Sequence, residues 1–578
     1  MTLNYYEFSG QEFSRPGLFW SQVVNSKPFS KAITPMKKLI PLVICSTAAA
    51  VCLGTGSAFA GYITPRVPPP ANAPAVPSYA PMGLPTVRTV TTAKDDGPGS
   101  LRQAIASAAP GDLITFALKL PATIDLTEPL VIGQDITVLG PGPCELTVMR
   151  SCAKHTPSFR VFDVEAGVVT LAGITIRNGS AFSGTNIHDN LGGGILNRGN
   201  LTVSNCVITG NSALTTDWGP SVPDTNYQYS VGFGAGIFSD TGSQLALINS
   251  TISGNQASGA GGAVCMHYAD SFVATGCTLS ENSADVQGGG LNFQGLAGTL
   301  QNCTLSANST PPNGAGSAYL LITFLGERAT LTFTACTIAR NVGSTNGACI
   351  LAMLDTFGCT NNLLSTLVAD NDWPNFFLDG KPVLRSLGHN LDSDGTSGLV
   401  NGSNGDLVGT SASPIDANLS PLQNNGGPTL TMALLPGSLA LGSGACTDAN
   451  GAPLTVDQRG LPRPQVAGCD IGAFENQAPA LTCPVARTLK GSGNGSAKAT
   501  LTATVADPDG DALTVIWSIN GFADQTNQVA ASHPPKSRSV KFKASFPAGT
   551  NIVGVVVSDS KAVPMGCSTS VIVLPKKK

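Results

Sequence analysis

Cys277-Thr278-Leu279-Ser280-Glu281-Asn282 and Cys303-Thr304-Leu305-Ser306-Ala307-Asn308 are two copies of one six-residue phrase, and that phrase decides the fold. Further copies read GITIRN from Gly173, CVITGN from Cys206, STISGN from Ser250 and CTIARN from Cys336, with a degenerate STLVAD from Ser365. Their first residues are 33, 44, 27, 26, 33 and 29 positions apart. A second, glycine-led series interleaves: GGGILN from Gly192, GAGIFS from Gly234, GGAVCM from Gly261, GGGLNF from Gly288, GAGSAY from Gly314 and NGACIL from Asn346. Segments this short, rich in Thr, Ile and Val, suit strands rather than helices. A near-regular period means stacked rungs, each completing its neighbour's core. Each rung offers two clear strands and room for a third.

Positions one and three of the phrase share a parity, so both are expected to face inward. Cys206, Cys277, Cys303 and Cys336 then form an interior file. Neighbouring rungs stand about 4.8 Å apart, whereas disulfide Cβ atoms lie about 3.8 Å apart, so reduced, buried thiols are expected. Position six gives Asn178, Asn211, Asn255, Asn282, Asn308 and Asn341. Asparagine tolerates the left-handed conformation of a sharp corner, and stacked amides can bond from rung to rung. This file is read as a structural ladder.

Composition agrees with a coil. Of 578 residues, 66 are Gly and only 12% are charged, while 42% are apolar, enough for a core. The net charge is -4, with no basic block beyond the last three lysines, so nucleic-acid binding is not expected. Met36-Lys37-Lys38, the apolar run from Leu39 to Leu53 and Ala58-Phe59-Ala60 read as an export signal, with Met36 the expected start. Residues 61–87, Pro-rich from 65 to 85, read as a linker.

The stretch DDGPGSLRQAIASAAPGDLITF (95–116) places a short helix and strands before the first rung, as a cap. It resembles the opening of bacterial β-helix surface proteins. SLGHNLDSDGTSG (386–398), PLQNNGGPTLTMALLPGS (421–438) and DQRGLPRPQVAGCDIGAFE (457–475) resemble the choice-of-anchor Q domain of that family, and the two repeat series resemble polymorphic outer-membrane-protein repeats. The resemblance implies an exported surface or secreted protein, mostly without an assigned reaction. Within the Q segment, read as an end cap, Asp457, Asp470 and Glu475 are expected ion-pair partners of Arg459 and Arg463.

After Asn476 the pattern becomes alternating strands with turns, centred on 500–506, 512–519, 539–546, 551–558 and 571–574, with Trp517 in the core. The expected fold is therefore all-β: a right-handed parallel β-helix over 88–475, its Q segment at about 386–475, followed by an immunoglobulin-like or cadherin-like β-sandwich over 476–578. Cys144 with Cys152, Cys446 with Cys469 and Cys483 with Cys567 are the expected disulfides, which export permits.

Parallel β-helices also host polysaccharide lyases and glycoside hydrolases, which need paired carboxylates or a base with a cation. The phrases carry only Arg177, Glu281 and Arg340, one to a rung, and the five histidines are scattered. Asp95-Asp96 reads as a solvated turn. No catalytic residue is assigned. The primary reading is a non-enzymatic scaffold or adhesin-like binding protein, the alternative a polysaccharide-active enzyme. Two enlarged corners, 179–191 and 212–233, gather His188, Asp189, Asp217, Trp218, Asp224, Tyr227 and Tyr229, a candidate patch for an extracellular glycan or surface protein. Membrane contact is expected only through export or an unidentified anchor. No cofactor is required. Asp507, Asp509 and Asp511 read as a plain turn or as ligands of a calcium ion; the turn resembles those of calcium-binding cadherin-like modules.

Overall fold

A computed structural model describes residues 85–182, 190–214, 232–311, 314–322, 329–343, 350–353, 359–372, 374–378, 383–464, 468–493, 495–532, 535–561 and 564–575. The leader and most of the linker lie outside these residues.

The chain is a parallel β-helix followed by a β-sandwich. Three long parallel sheets run the length of the coil. Sheet 1 has eleven strands, from Val87–Val90 to Val383–Gly388. Sheet 2, built from the phrase, has eleven, from Ala122–Leu126 to Leu407–Val408. Sheet 3, built from the glycine-led series, has nine, from Leu130–Ile132 to Phe376–Leu378. Sheet 1 is the third strand of each rung. A fourth sheet of two-residue strands (Ser180–Ala181, Ser212–Ala213, Gln256–Ala257, Ser283–Ala284) stacks alanines at the corner between sheets 2 and 3.

Inward side chains make one continuous core, including Ile208, Ile252, Leu279, Leu305 and Ile338 from sheet 2. Cys206, Cys277, Cys303 and Cys336 are free and buried among them, as the parity required. Burial pushes the Cys206 thiol up to about 11, so it stays protonated. Gly192, Gly234, Gly261 and Gly288 turn the chain into sheet 3 at φ 62 to 69, where a Cβ would strike the following strand.

The register corrects both ends of the phrase. Ile176 pairs with Ile208 and Val368 with Ile338, so the first and last copies begin one residue later, at Ile174 and Thr366. Asn178 therefore leaves the ladder: it sits opposite Gly210, and its φ of 57 marks it as the corner residue itself. Gly179 takes the ladder place and donates to Asn211 Oδ1 at 2.9 Å. At the other end Asn371 joins, accepting from Asn341 Nδ2 at 3.1 Å. Left-handed asparagines in the following rungs lie one corner earlier, at Asn205, Asn249 and Asn302. Asn211, Asn255, Asn282, Asn308 and Asn341 stack as amides instead, each donating to the next Oδ1 at 2.9 to 3.1 Å.

Helix Leu101–Ala106 closes the N-terminal end, with Leu101 and Ile105 inward and Ser100 accepting from Gln103 N. Asp95 is no solvated residue. It pairs with Arg102 and accepts from the N–H and hydroxyl of Thr127, clasping the helix to the rung beneath.

The segment 386–475 is an end cap only in its first part, where Leu391–Asp392 and Leu407–Val408 are the last strands of sheet 2. From about residue 410 the chain runs back along the outside of sheet 2. Leu430 O accepts from Thr278 Oγ1, Gln458 bonds Thr304 Oγ1, and the Ala473 N–H bonds Thr337 Oγ1. Outward residues of those strands are thereby buried, whereas those of Val207–Thr209 and Thr251–Ser253 are part-exposed. Ala339, Leu367, Leu391, Met432, Leu434 and Ile471 form a second apolar core beneath this strap.

The sandwich packs a three-stranded sheet (Ala480–Thr482, Ala497–Ala506, Arg538–Phe546) on a five-stranded one (Arg487–Lys490, Met565–Leu574, Gly549–Ser558, Leu513–Ile519, Phe522–Val529). Trp517 is buried and stacked on Phe542 at 5.0 Å. Cys446–Cys469 and Cys483–Cys567 are bonded, and Cys144 and Cys152 are both in disulfides.

Candidate functional site

The enlarged corners hold their candidate residues, His188, Asp189, Asp217, Trp218, Asp224, Tyr227 and Tyr229, outside the described residues. Three described regions bear on function instead.

The first is the outer face of sheet 1. Seven successive strands, Val168–Ala172, Asn200–Ser204, Gln244–Ile248, Ser271–Thr275, Ala297–Gln301, Thr330–Thr334 and Thr360–Leu364, contain no ionisable side chain. They stack in unbroken register. Their outward central column reads Thr170, Thr202, Ala246, Val273, Thr299, Thr332 and Asn362. The face is uncharged and rich in hydroxyls, with Val168, Ile248 and Val273 exposed among them.

The second is a charged row at the corner between sheets 3 and 1. Asp163 pairs with Arg160 at 2.6 Å and with Arg198 at 3.2 Å, and Asp240 meets His267 at 3.4 Å. Burial raises the Asp240 carboxyl, but the His267 contact, the Thr241 N–H and Arg198 outweigh it and hold it below its usual value. Each acid has a basic side chain beside it, so the row staples rungs together.

The third is the joint between strap and sandwich. Asp507 begins the turn after strand Ala497–Ala506, and its Oδ1 accepts from the N–H groups of Asp509 and Asp511. Asp509 reaches out of the sandwich to Arg459 and accepts from Gln477 N. Arg459 also pairs with Asp457 at 2.8 Å and lies over Phe474 at 3.6 Å. Arg463 pairs with Glu475 at 3.0 Å, as expected, and donates to the Asp470 backbone carbonyl at 3.0 Å, while the Asp470 carboxylate caps the Asn476 and Gly442 N–H groups. Lys561 pairs with Asp511 at 2.7 Å, and Asn476 Nδ2 meets Asp559 at 3.4 Å.

Carboxylate oxygens of Asp507, Asp509 and Asp511 lie within 4.8 Å of one another. Asp507 Oδ2 and Asn476 Oδ1 are buried without a hydrogen-bond partner. Burial, with Asp511 and Asp559 adding repulsion, lifts the Asp507 carboxyl to about 6. Burial outweighs Arg459 at Asp509 and lifts it to about 7. Five carboxylates (Asp457, Asp507, Asp509, Asp511, Asp559) thus face two cations, Arg459 and Lys561. The sequence marks the three turn aspartates by spacing. Asn476 and Asp559 lie 31 residues before and 52 after Asp507, so proximity in sequence gives no hint of them.

No protein family, no curated protein and no solved structure matches the chain. Among the described residues, no helix is long and apolar enough to cross a membrane.

Proposed function

We propose that this protein is an exported, non-enzymatic scaffold that presents a β-helix as a binding surface. The uncharged outer face of sheet 1 carries this reading. An enzyme on a parallel β-helix needs converging ionisable groups on an exposed face, and seven consecutive strands supply none. The neutral lattice of hydroxyls suits adhesion to a hydrated, uncharged partner such as a neutral glycan or protein surface. Incubation with a panel of polysaccharides, measuring both retention and released products, tests it. Retention without product is expected. Product release abolished by Asp163→Asn or Asp240→Asn would move the function to the charged row and make the protein a polysaccharide-active enzyme.

Calcium at the joint is part of the same proposal. Calcium takes six to eight oxygens at about 2.3–2.6 Å, so ligand oxygens on opposite sides of the ion stand about 5 Å apart, which the turn aspartates can match. Asp507 Oδ2 and Asn476 Oδ1 supply open, buried donors, with Asp511 and Asp559 beside them. The ion would offset the excess of carboxylates and tie strap to sandwich. It has a structural task only.

A further inference from the structure

The chain's net acidity conceals a division of charge. Residues 476–578 carry eleven Lys and Arg against five Asp, whereas residues 1–475 carry twenty-one against thirty-one. Four of the five sandwich aspartates, Asp507, Asp509, Asp511 and Asp559, are gathered at the joint. Asp524 is the one that remains elsewhere on the sandwich. The sandwich surface away from the joint is therefore strongly basic.

The three-stranded sheet organises that charge. Alternation turns Leu501, Ala503, Val540 and Phe542 into the core and leaves Lys498, Lys541 and Lys543 exposed on the outer face. In register, Lys543 stands opposite Thr500, Lys541 opposite Thr502 and Lys498 opposite Ser545. Lys536 and Arg538, both exposed, extend the charge to the start of the last strand. Among the described residues none of these five cations has an ion-pair partner; the sandwich's ion pairs are Lys561–Asp511 and Arg459–Asp509. Two shallow open clefts cross the region. One is lined by Lys498, Thr500, Lys543 and Ser545, the other by Asn527, Arg538, Ser539 and Lys541.

The chemistry of the face selects among anionic partners. Protein interfaces are anchored by buried aromatic and apolar groups, and membrane-surface binding needs apolar side chains to insert. This face offers neither: its outward residues are lysines, threonines and serines, with only Ala480 and Ala506 at one end. Lysine is a hydrated point charge on a flexible stem, suited to a mobile chain of carboxylates, and the hydroxyls between can bond sugar oxygens. We propose that the outer face of the three-stranded sheet binds an acidic polysaccharide, with Lys498, Lys541 and Lys543 seating its carboxylates. The proposal deepens the reading of the protein as an exported binding scaffold.

The test uses the full chain and polygalacturonate as the probe, with neutral dextran, phosphatidylglycerol vesicles and duplex DNA as parallel arms. Binding to polygalacturonate is expected, weakening at least about tenfold between about 50 and about 200 mM salt as counterions compete. The triple variant Lys498→Gln, Lys541→Gln, Lys543→Gln is expected to lose at least about tenfold in affinity with an unchanged melting temperature, since surface substitutions of this kind rarely perturb folding. Dextran binding should not respond to the variant. Absence of polygalacturonate binding at low salt, equal binding by the triple variant, or tighter binding to vesicles or DNA would each overturn the proposal. Cleavage of the polymer would instead refute the non-enzymatic reading, while the triple variant still reports whether this face holds it.

Discussion

At the residue scale the asparagine file is the clearest case of a side chain doing what backbone alone cannot. Asn282 Nδ2 donates to Ile252 O, Ser280 O and Asn308 Oδ1, and its own Oδ1 accepts from Asn255 N and Nδ2. Removing this amide leaves the Asn255 N–H without its acceptor and Ile252 O and Asn308 Oδ1 without a donor in a buried interior, at about 1–3 kcal/mol for an unsatisfied buried group. Asn282→Ala should therefore destabilise the coil by at least that range in denaturant melts. Asn178→Gly should cost less, about 0.5–1.5 kcal/mol for the bond from its amide to Arg150 O, because the left-handed corner it occupies is filled by Gly210 in the next rung. The file was legible from the repeat, but its ends were not. The phrase degenerates there, and a hexapeptide with loosely similar flanks can be aligned one residue out without losing its apolar centre. Only strand pairing shows that Asn371 belongs and Asn178 does not.

At the element scale two covers protect the coil. The N-terminal one turns on Asp112, whose carboxylate accepts from the N–H groups of Ala109 and Thr86 and pairs with Arg88, which holds it at about 2. A carboxyl lowered on folding contributes stability above its unfolded value of about 3.9 and loses it as the pH falls through the folded value. Asp112→Asn should accordingly lower the melting temperature at neutral pH, with the difference from wild type fading between about pH 4 and pH 2. The lateral strap turns on Gln458. Its Nε2 donates to Thr278 Oγ1, Thr429 Oγ1 and Leu430 O, and its Oε1 accepts from Thr304 Oγ1. Gln458→Ala should speed proteolysis of residues 410–476, with a loss of about 1–3 kcal/mol. A hint of the strap was present in the phrase. Outward positions are Thr, Ser, Val or Arg in early rungs and become Ala339, Leu367 and Ala369 in late ones, which is wasteful on an exposed face and sensible under a cover. Its path back along sheet 2 was not readable, because bridges such as Thr304 to Gln458 span 154 residues of irregular chain.

At the scale of the whole molecule, strap and sandwich meet at Arg459. Its guanidinium is fully buried, held by Asp457 from its own turn, Asp509 from the sandwich and Glu475 O from the connection, with Phe474 against its face. The expectation that Arg459 would pair within the strap was correct for Asp457, and the sandwich partner lay beyond what local spacing could reveal. Desolvating a cation this completely is tolerable only because several acceptors surround it. Arg459→Met keeps much of the volume yet strands Asp457 and Asp509 without their counter-charge, and breaking one side of a buried ion pair costs about 3–5 kcal/mol. The loss should fall on the connection rather than on either body, since the coil and sandwich cores share none of these contacts. Hydrogen exchange should therefore quicken at 457–461, 475–477 and 507–511 in Arg459→Met while the amides of Thr278–Ser280 and Val553–Val557 keep their protection. Uniform loss of protection across all of these segments would mean that strap, coil and sandwich unfold as one unit and that Arg459 is a core residue rather than a joint. With calcium present the same variant should recover part of its protection at 507–511, because a divalent ion can supply the positive charge that Arg459 no longer brings.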